Sequence, residues 1–512
     1  MSRDTFSALA LTQIFVLWIR SITPLSVFYC VAWILNYLPK HWAAKLLGLY
    51  ALAETCFYFL VFLPRNRALQ QDAIHPDTDR ESRQELVRKC IENIPNPERF
   101  ISLWNRGTPP SQVHRENFKE WLCWAYFNKS TWDDHEDEEL NNYVQKFETL
   151  LGYLLPEGRD PSKSLRVSLD PGNIYHRPLV YYVLGIGGAD LVTYLFMRYH
   201  GYQHYALSRW CLSFPFRPQT IFSQHRSTAK HLSYWYRPHT SKDSLPIMYI
   251  HGIGILYTYM RLFGELSRAL DADSLTQTNG STGVIVFEVL PISLRMTHPA
   301  LLKSALCAEI LSVLDRHKWD KFVLMATSFS SVISSQMLHD TLLAPRIGPI
   351  IFTDPVPFLL HLPDITYNFT QRKPKTACQL QLYYFASRDM GAAHTLGRRF
   401  FWNESILWKE NILGQGRRVS VILCEKDIVV DTTAVGHYLT RSDGVRATDD
   451  WECDDDSWKR RGWEGGELDV LWMDGLHHAE LLNTKRDRQI LIDIALNYAT
   501  GAEEPIRERG NL

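Results

Sequence analysis

The chain has 512 residues, with 55 Lys plus Arg against 56 Asp plus Glu, a formal net charge of −1. That length allows two to four domains, or one enlarged domain with attachments. The even balance leaves no basic surplus of the kind phosphate binding needs, so no nucleic acid partner is expected. Hydrophobic residues at 46% exclude a disordered chain. Nine cysteines without a Cys-x-x-Cys pair argue against a disulfide framework or a zinc ribbon, and for a reducing compartment.

Residues 1–64 read as a membrane anchor. Thr5–Ile19 carries no charge, Ser21–Pro39 is a second uncharged stretch after Arg20, and Leu46–Pro64 is a third, broken only by Glu54. The second and third each approach the roughly 20 residues that a helix needs to cross a bilayer core. Glu54 at mid-depth would cost about 2.5–3.5 kcal/mol, which its large apolar neighbours can offset. The pattern predicts two spans, or a hairpin dipping into one leaflet. A cleaved signal peptide fits poorly, because no small-x-small site follows Phe6–Ile19 before the next apolar block. Lys40 and Lys45 lie between the spans, whereas Arg65, Arg67, Arg80 and Arg83 follow the second. Counting basic residues therefore predicts a cytosolic body, with the endoplasmic reticulum or a lipid droplet both compatible as the membrane.

Residues 65–232 read as a mostly helical extension, with one helix over Arg115–Phe127. The acidic run Asp133–Glu139 predicts a solvated loop face, since no spaced ligand pattern surrounds it. Pro178–Tyr202 is apolar but interrupted by Gly185, Gly187, Gly188 and Asp190, so it reads as a buried or substrate-facing helix. From Ser233 to about residue 500 short apolar runs alternate with helical ones. The strands expected are Ile247–Ile250, Gly283–Val289, Phe322–Ala326, Pro349–Thr353, Val419–Leu423 and Leu468–Met473. Helical patterns lie at Tyr257–Leu270, Ala300–Leu314 and Ser331–Leu342. Nearly all-apolar strands separated by amphipathic helices indicate a parallel sheet covered on both faces, an α/β fold.

Ligands in such sheets sit beyond the carboxyl edge, so the strand ends are the places to look. Ile247–Ile250 runs into His251-Gly252-Ile253-Gly254, where glycines let the backbone turn tightly and aim N–H groups into a cavity. Phe322–Ala326 runs into Thr327-Ser328-Phe329-Ser330 and a helix, the setting of a nucleophile elbow. Val419–Leu423 runs into Cys424-Glu425-Lys426-Asp427. Leu468–Met473 runs into Asp474-Gly475-Leu476-His477-His478-Ala479.

In this order the four strand ends resemble those of the α/β-hydrolase superfamily, over roughly Ser233 to Tyr498. The wording of His251–Gly254 and of Arg399–Trp408 is similar to that of uncharacterised membrane-anchored fungal α/β-hydrolases. The resemblance implies Ser328 as nucleophile, His478 as base and Asp427 as acid, with Asp354 as the rival acid one strand earlier. His478 is preferred to His477 because a small residue, Ala479, follows it. Oxyanion donors are expected from Phe329 and from the loop at Gly252, chiefly Ile253. The chemistry requires these types: a serine hydroxyl is a weak nucleophile until an imidazole takes its proton, and a carboxylate fixes that imidazole's tautomer. The elbow departs from Gly-x-Ser-x-Gly, with Ala326 and Ser330 in the glycine positions.

The resemblance implies a membrane-anchored serine hydrolase that cleaves esters of lipids or other apolar substrates through an acyl-enzyme, without metal or cofactor. Membrane lipid and a small apolar ester are the expected partners. The alternatives are a catalytically inactive hydrolase fold serving as scaffold or lipid binder, favoured by the non-glycine elbow, and a lipid acyltransferase. The latter's His-x-x-x-x-Asp signature is missed at Asn483. Residues of about 355–415 resemble a cap, with Phe358-Leu359-Leu360, Tyr383-Tyr384-Phe385 and Phe400-Phe401-Trp402 suited to an acyl chain. A second insertion, Thr440–Glu467, carries Asp449-Asp450 and Asp454-Asp455-Asp456 and reads as a solvated loop.

Overall fold

Strands β4 (Ile247–Ile250), β5 (Val284–Glu288) and β6 (Phe322–Thr327) are buried along their whole length. A strand without a polar face needs cover on both sides, and the chain supplies it. The computed structural model describes residues 5–39, 41–207, 213–276, 280–414, 416–442, 447 and 456–501. The other sheet strands are β1 (Gln203–Ala206), β2 (His225–Arg226), β3 (Ser233–Arg237), β7 (Ile347–Thr353), β8 (Val419–Lys426) and β9 (Leu468–His477). They form one nine-stranded sheet in the order β9-β8-β7-β6-β4-β5-β3-β1-β2. All neighbours are parallel except at β3, which runs antiparallel to both β1 and β5. This order, with its single reversed strand near one edge, is the α/β-hydrolase fold.

Every strand expected from the sequence is present, most of them longer by a few residues. The sheet's far edge was not legible: β1 and β2 come from upstream of Ser233, and at four and two residues they are too short to show a period. One sheet face is covered by α8 (Met260–Thr276) and the C-terminal helix Lys485–Thr500. The other is covered by α9 (Lys303–His317), α10 (Ser330–Leu338) and Thr432–Thr440. The helical extension, α3 (Arg80–Glu92), α4 (Pro97–Trp104), α5 (Arg115–Phe127) and α6 (Asp134–Leu151), shares that second core, with Phe100, Trp121 and Phe147 packed ring on ring.

The acidic run is not a loop. Asp133 caps α6 in a reciprocal capping box with Glu136, and the acidic first turn complements the helix dipole. Glu139 is buried and paired with Arg83 at 2.8 Å. Of the second insertion, Asp449, Asp450, Asp454 and Asp455 lie outside the described residues.

At the N-terminus the first two uncharged blocks merge into one helix, α1 (Phe6–Ile34), which carries Arg20 within it. Trp42–Leu69, here α2, is the second long apolar helix. Both are long and apolar enough to cross a membrane. Glu54 faces no lipid: it is fully buried, accepting from the Thr23 hydroxyl (2.6 Å) and the Leu179 N–H (2.6 Å), with His176 Nε2 at 3.2 Å. None of the seven described cysteines is in a disulfide.

Candidate active site

The turn after β6 puts Ser328 at φ +58°, a conformation that side chains rarely adopt. Holding a non-glycine residue there costs about 1–3 kcal/mol, which surrounding contacts must offset. Its N–H donates to the Thr353 carbonyl at 2.9 Å, tying the turn to β7. Ser330, in a position where glycine was expected, is the second tie. Its fully buried hydroxyl accepts the Thr327 N–H (2.9 Å) and reaches the Ile250 carbonyl (2.7 Å), linking β6 to β4. A glycine there would close the turn but make neither bond. The departure from the glycine pattern is thus replaced by a polar brace.

Four strand ends converge on this turn. His478 Nε2 lies 2.7 Å from Ser328 Oγ, and His478 Nδ1 lies 2.5 Å from Asp427 Oδ2. The Asp427 side chain is wholly buried, and its other oxygen accepts the N–H groups of Val429 (2.6 Å) and Val430 (2.9 Å). One carboxylate oxygen is therefore fixed by the backbone and the other is presented to the imidazole. His477, the neighbour, has no hydrogen bond to Ser328 or Asp427; its main-chain N–H donates to the Glu480 carboxylate at 2.9 Å.

Asp354 takes a different place from Asp427. Its two oxygens accept the Cys424 N–H (2.8 Å) and the Ala479 N–H (2.7 Å), so it straps the end of β8 to the histidine loop without touching the imidazole. Its charge is nevertheless felt. Burial would depress the His478 imidazolium, but the Asp427 charge and hydrogen bond, with Asp354 behind, raise it to about 9. Burial, then the Asp427 charge, push the Asp354 carboxyl up to about 6. The donor atoms of Asp354, Asp427 and His478 lie within 4.8 Å of one another, the spacing of a cation site, but each already holds a backbone or triad partner.

The side where oxyanion donors were expected is built from the end of β4. A Cβ on Gly252 would stand 2.7 Å from the Thr327 carbonyl oxygen, so only glycine lets the two loops approach. Gly252 is not a free donor as expected, because its N–H is held by the Tyr259 hydroxyl at 3.1 Å. The N–H groups of Phe329 and Ile253 have no acceptor among the described residues, and both residues line the cavity at Ser328. His251, given no role by the sequence, is buried behind them. Its Nε2 accepts the Val289 N–H (3.0 Å) and its Nδ1 reaches the Gly252 carbonyl (2.7 Å), and burial holds it neutral with a pKa near 4.

Ser328 and His478 open into an apolar cavity of about 1020 Å³, counting its open mouth. The cap supplies much of its wall, including Leu360, Phe369, Leu382, Phe400 and Trp402. The helical extension adds Trp104 and Trp124, which the sequence did not indicate because their partners are distant in the chain: Trp104 Nε1 donates to the His361 carbonyl and Trp124 Nε1 to the Ser168 hydroxyl. Not all the expected cap aromatics face inward. Phe358 packs on Phe352 in the core, and Tyr384 and Phe385 turn away toward α1.

No family model matches the chain, and no curated protein matches it. Among solved structures it is similar to a bacterial membrane phospholipase A (10% identity, 62% of this chain and 94% of that one, TM-score 0.36). It is also similar to a carboxylesterase from Bacillus subtilis (9%, 62% and 99%, TM-score 0.33). A meta-cleavage product hydrolase from Pseudomonas fluorescens IP01 is a third (13%, 51% and 93%, TM-score 0.32). The fold assignment rests on this chain's own strand order, and none of these likenesses points to a fungal relative.

Proposed function

We propose that the protein is a serine hydrolase of carboxylic esters with an apolar acyl or alcohol part, anchored to a membrane by α1 and α2 with its body on the cytosolic side. The single observation that carries the reading is the unbroken chain Ser328–His478–Asp427 at 2.7 and 2.5 Å at the floor of an apolar cavity.

In this mechanism His478 Nε2 takes the Ser328 proton as Oγ bonds to the ester carbonyl carbon. The carbonyl electron pair moves to oxygen, where the Phe329 and Ile253 N–H groups receive it; such donors are each worth about 2.7–4 kcal/mol. The C–O bond to the alcohol then breaks, and His478 delivers its proton to the leaving oxygen. Water attacks the acyl-serine by the same route, the acid leaves, and the proton returns to Ser328. Asp427 holds the imidazole with Nε2 facing the serine. The inactive-scaffold reading rested on the missing elbow glycines, and the brace made by Ser330 removes that support.

The test is covalent labelling of the native full-length protein by a fluorophosphonate probe, with Ser328→Ala as control. Labelling that disappears in the variant is the expected result. Labelling that persists in Ser328→Ala, or a folded native protein that never labels, would remove Ser328 as nucleophile.

A further inference from the structure

Helix α7 (Gly187–Tyr199) is built inside out. Its inward face carries a carboxylate, Asp190, buried and held by Arg295 at 2.7 and 3.1 Å, followed by buried Thr193 and Met197. Its outward face carries leucines. Leu184, in the turn just before it, is 70% exposed and Leu195 is 59% exposed, with Leu191 and Val192 between them also exposed. The apolar surface continues beside it, where Phe222 meets Tyr194 ring to ring at 6.0 Å, and Ile221 and Phe222 are 59% and 63% exposed. A contiguous apolar patch of this kind, next to polar groups taken inward, marks a surface made for a partner.

The hairpin identifies the partner. Helices α1 and α2 pair with each other alone only toward the hairpin tip: the body holds the Thr23–Glu54 pair through His176 and Leu179, and one turn further its last contact is the Val180 main chain on the Tyr50 hydroxyl. From Glu54 back to Trp42 an α-helix rises about 18 Å, against the about 30 Å of a bilayer core. The hairpin tip holds Asn36, His41 and Lys45, groups that belong at a headgroup layer and not at mid-bilayer. Placing the tip there leaves about 12 Å of hydrocarbon to cross, or about eight more helical residues. Those residues run to about Phe62 in α2 and Val16 in α1, and at that depth they touch the body. Phe57 and Phe62 pack on Tyr182 and His176, and Val16 and Ile19 pack on Tyr384 and Phe385. Tyr182 belongs to the turn Tyr181–Ile186 that leads straight into α7.

Resting on the anchored reading above, we infer that the body is sunk into the near leaflet. The outward face of Val183–Leu195, with Ile221 and Phe222, is a second lipid-contacting surface that lies against acyl chains beside the hairpin, and exposed Arg198 one turn further marks where it meets the headgroups. The buried Asp190–Arg295 pair, joined by Arg217 to Glu288 at 2.5 Å, fixes this face rigidly to the sheet.

The test uses the full-length protein in phosphatidylcholine vesicles, with a benzophenone amino acid placed singly at the positions of Leu195, Phe222, Leu25 and Leu342. Leu25 is on the outer side of α1, and Leu342 is an exposed leucine on a loop away from the patch. Irradiation should give phospholipid adducts at positions 195 and 222 in yield comparable to position 25, and none at 342. Adducts at 25 but not at 195 and 222 would overturn the proposal and leave the anchor intact. Adducts at none of the positions would overturn both. Adducts at 195 and 222 without 25 would support this face and remove α1 from the membrane. Protein adducts in place of lipid at 195 would assign the patch to a protein partner and overturn the proposal.

Discussion

At the scale of single residues, the site separates two buried aspartates by what each oxygen holds. Asp427 presents a free oxygen to His478, whereas both Asp354 oxygens are taken by main-chain N–H groups. Asp427→Asn should therefore cut turnover by a factor on the order of 10⁴, because the amide stabilises the wrong tautomer and no longer offsets the imidazolium. The base must be neutral to act, so a His478 raised to about 9 places the rising limb of kcat/KM on the alkaline side. Asp354→Asn removes one of the charges that favour the imidazolium, so that limb should move to lower pH. Its amide also turns a donor toward a backbone N–H, and the unsatisfied pair should cost about 1–3 kcal/mol of stability. A pH–rate profile and a thermal melt of each variant check both statements. An unmoved limb in Asp354→Asn would mean that its charge does not reach the imidazole.

At the scale of elements, the elbow is a joint between three strands, and its chemistry explains a departure that the sequence could only flag. Ser330 is small enough for the crossing of β6 and α10, and its hydroxyl binds β4. Restoring the usual motif with Ser330→Gly should therefore lower the melting temperature without raising turnover, since the Thr327 N–H and Ile250 carbonyl both lose their buried partner. A more stable or faster glycine variant would show the brace to be incidental. Gly252→Ala should be harsher, because its Cβ meets the Thr327 carbonyl oxygen at 2.7 Å and must push the oxyanion loop from the elbow. Titrating both variants with the fluorophosphonate probe measures whether the turn survives. The strand ends were legible because long apolar strands and the Gly, Ser, Asp and His residues that follow them are local signals. The cavity's second wall was not, since Trp104 and Trp124 reach it through contacts that only the folded chain brings together.

At the scale of the whole molecule, one carboxylate couples the apolar hairpin of α1 and α2 to the body. In the sequence Glu54 was only an interruption in an apolar run; its partners, Thr23, His176 and Leu179, are distant in the chain, so nothing local announced a joint. The cap turn Leu382–Ser387 has the same double character. Leu382 and Ala386 line the cavity while Tyr384 and Phe385 pack on α1, so the cavity wall and α1 share one turn. Glu54→Leu would leave the His176 ring, the Leu179 N–H and the Thr23 hydroxyl without their acceptor, loosening the body on its anchor while leaving Ser328, His478 and Asp427 in place. Turnover of a long-chain ester embedded in vesicles should then fall, whereas turnover of a dissolved short-chain ester should hold. Glu54→Gln keeps one acceptor oxygen and should fall between the two. Equal losses on both esters would signal a general folding defect, and no loss on either would show that the joint at Glu54 does not govern how a membrane substrate reaches Ser328.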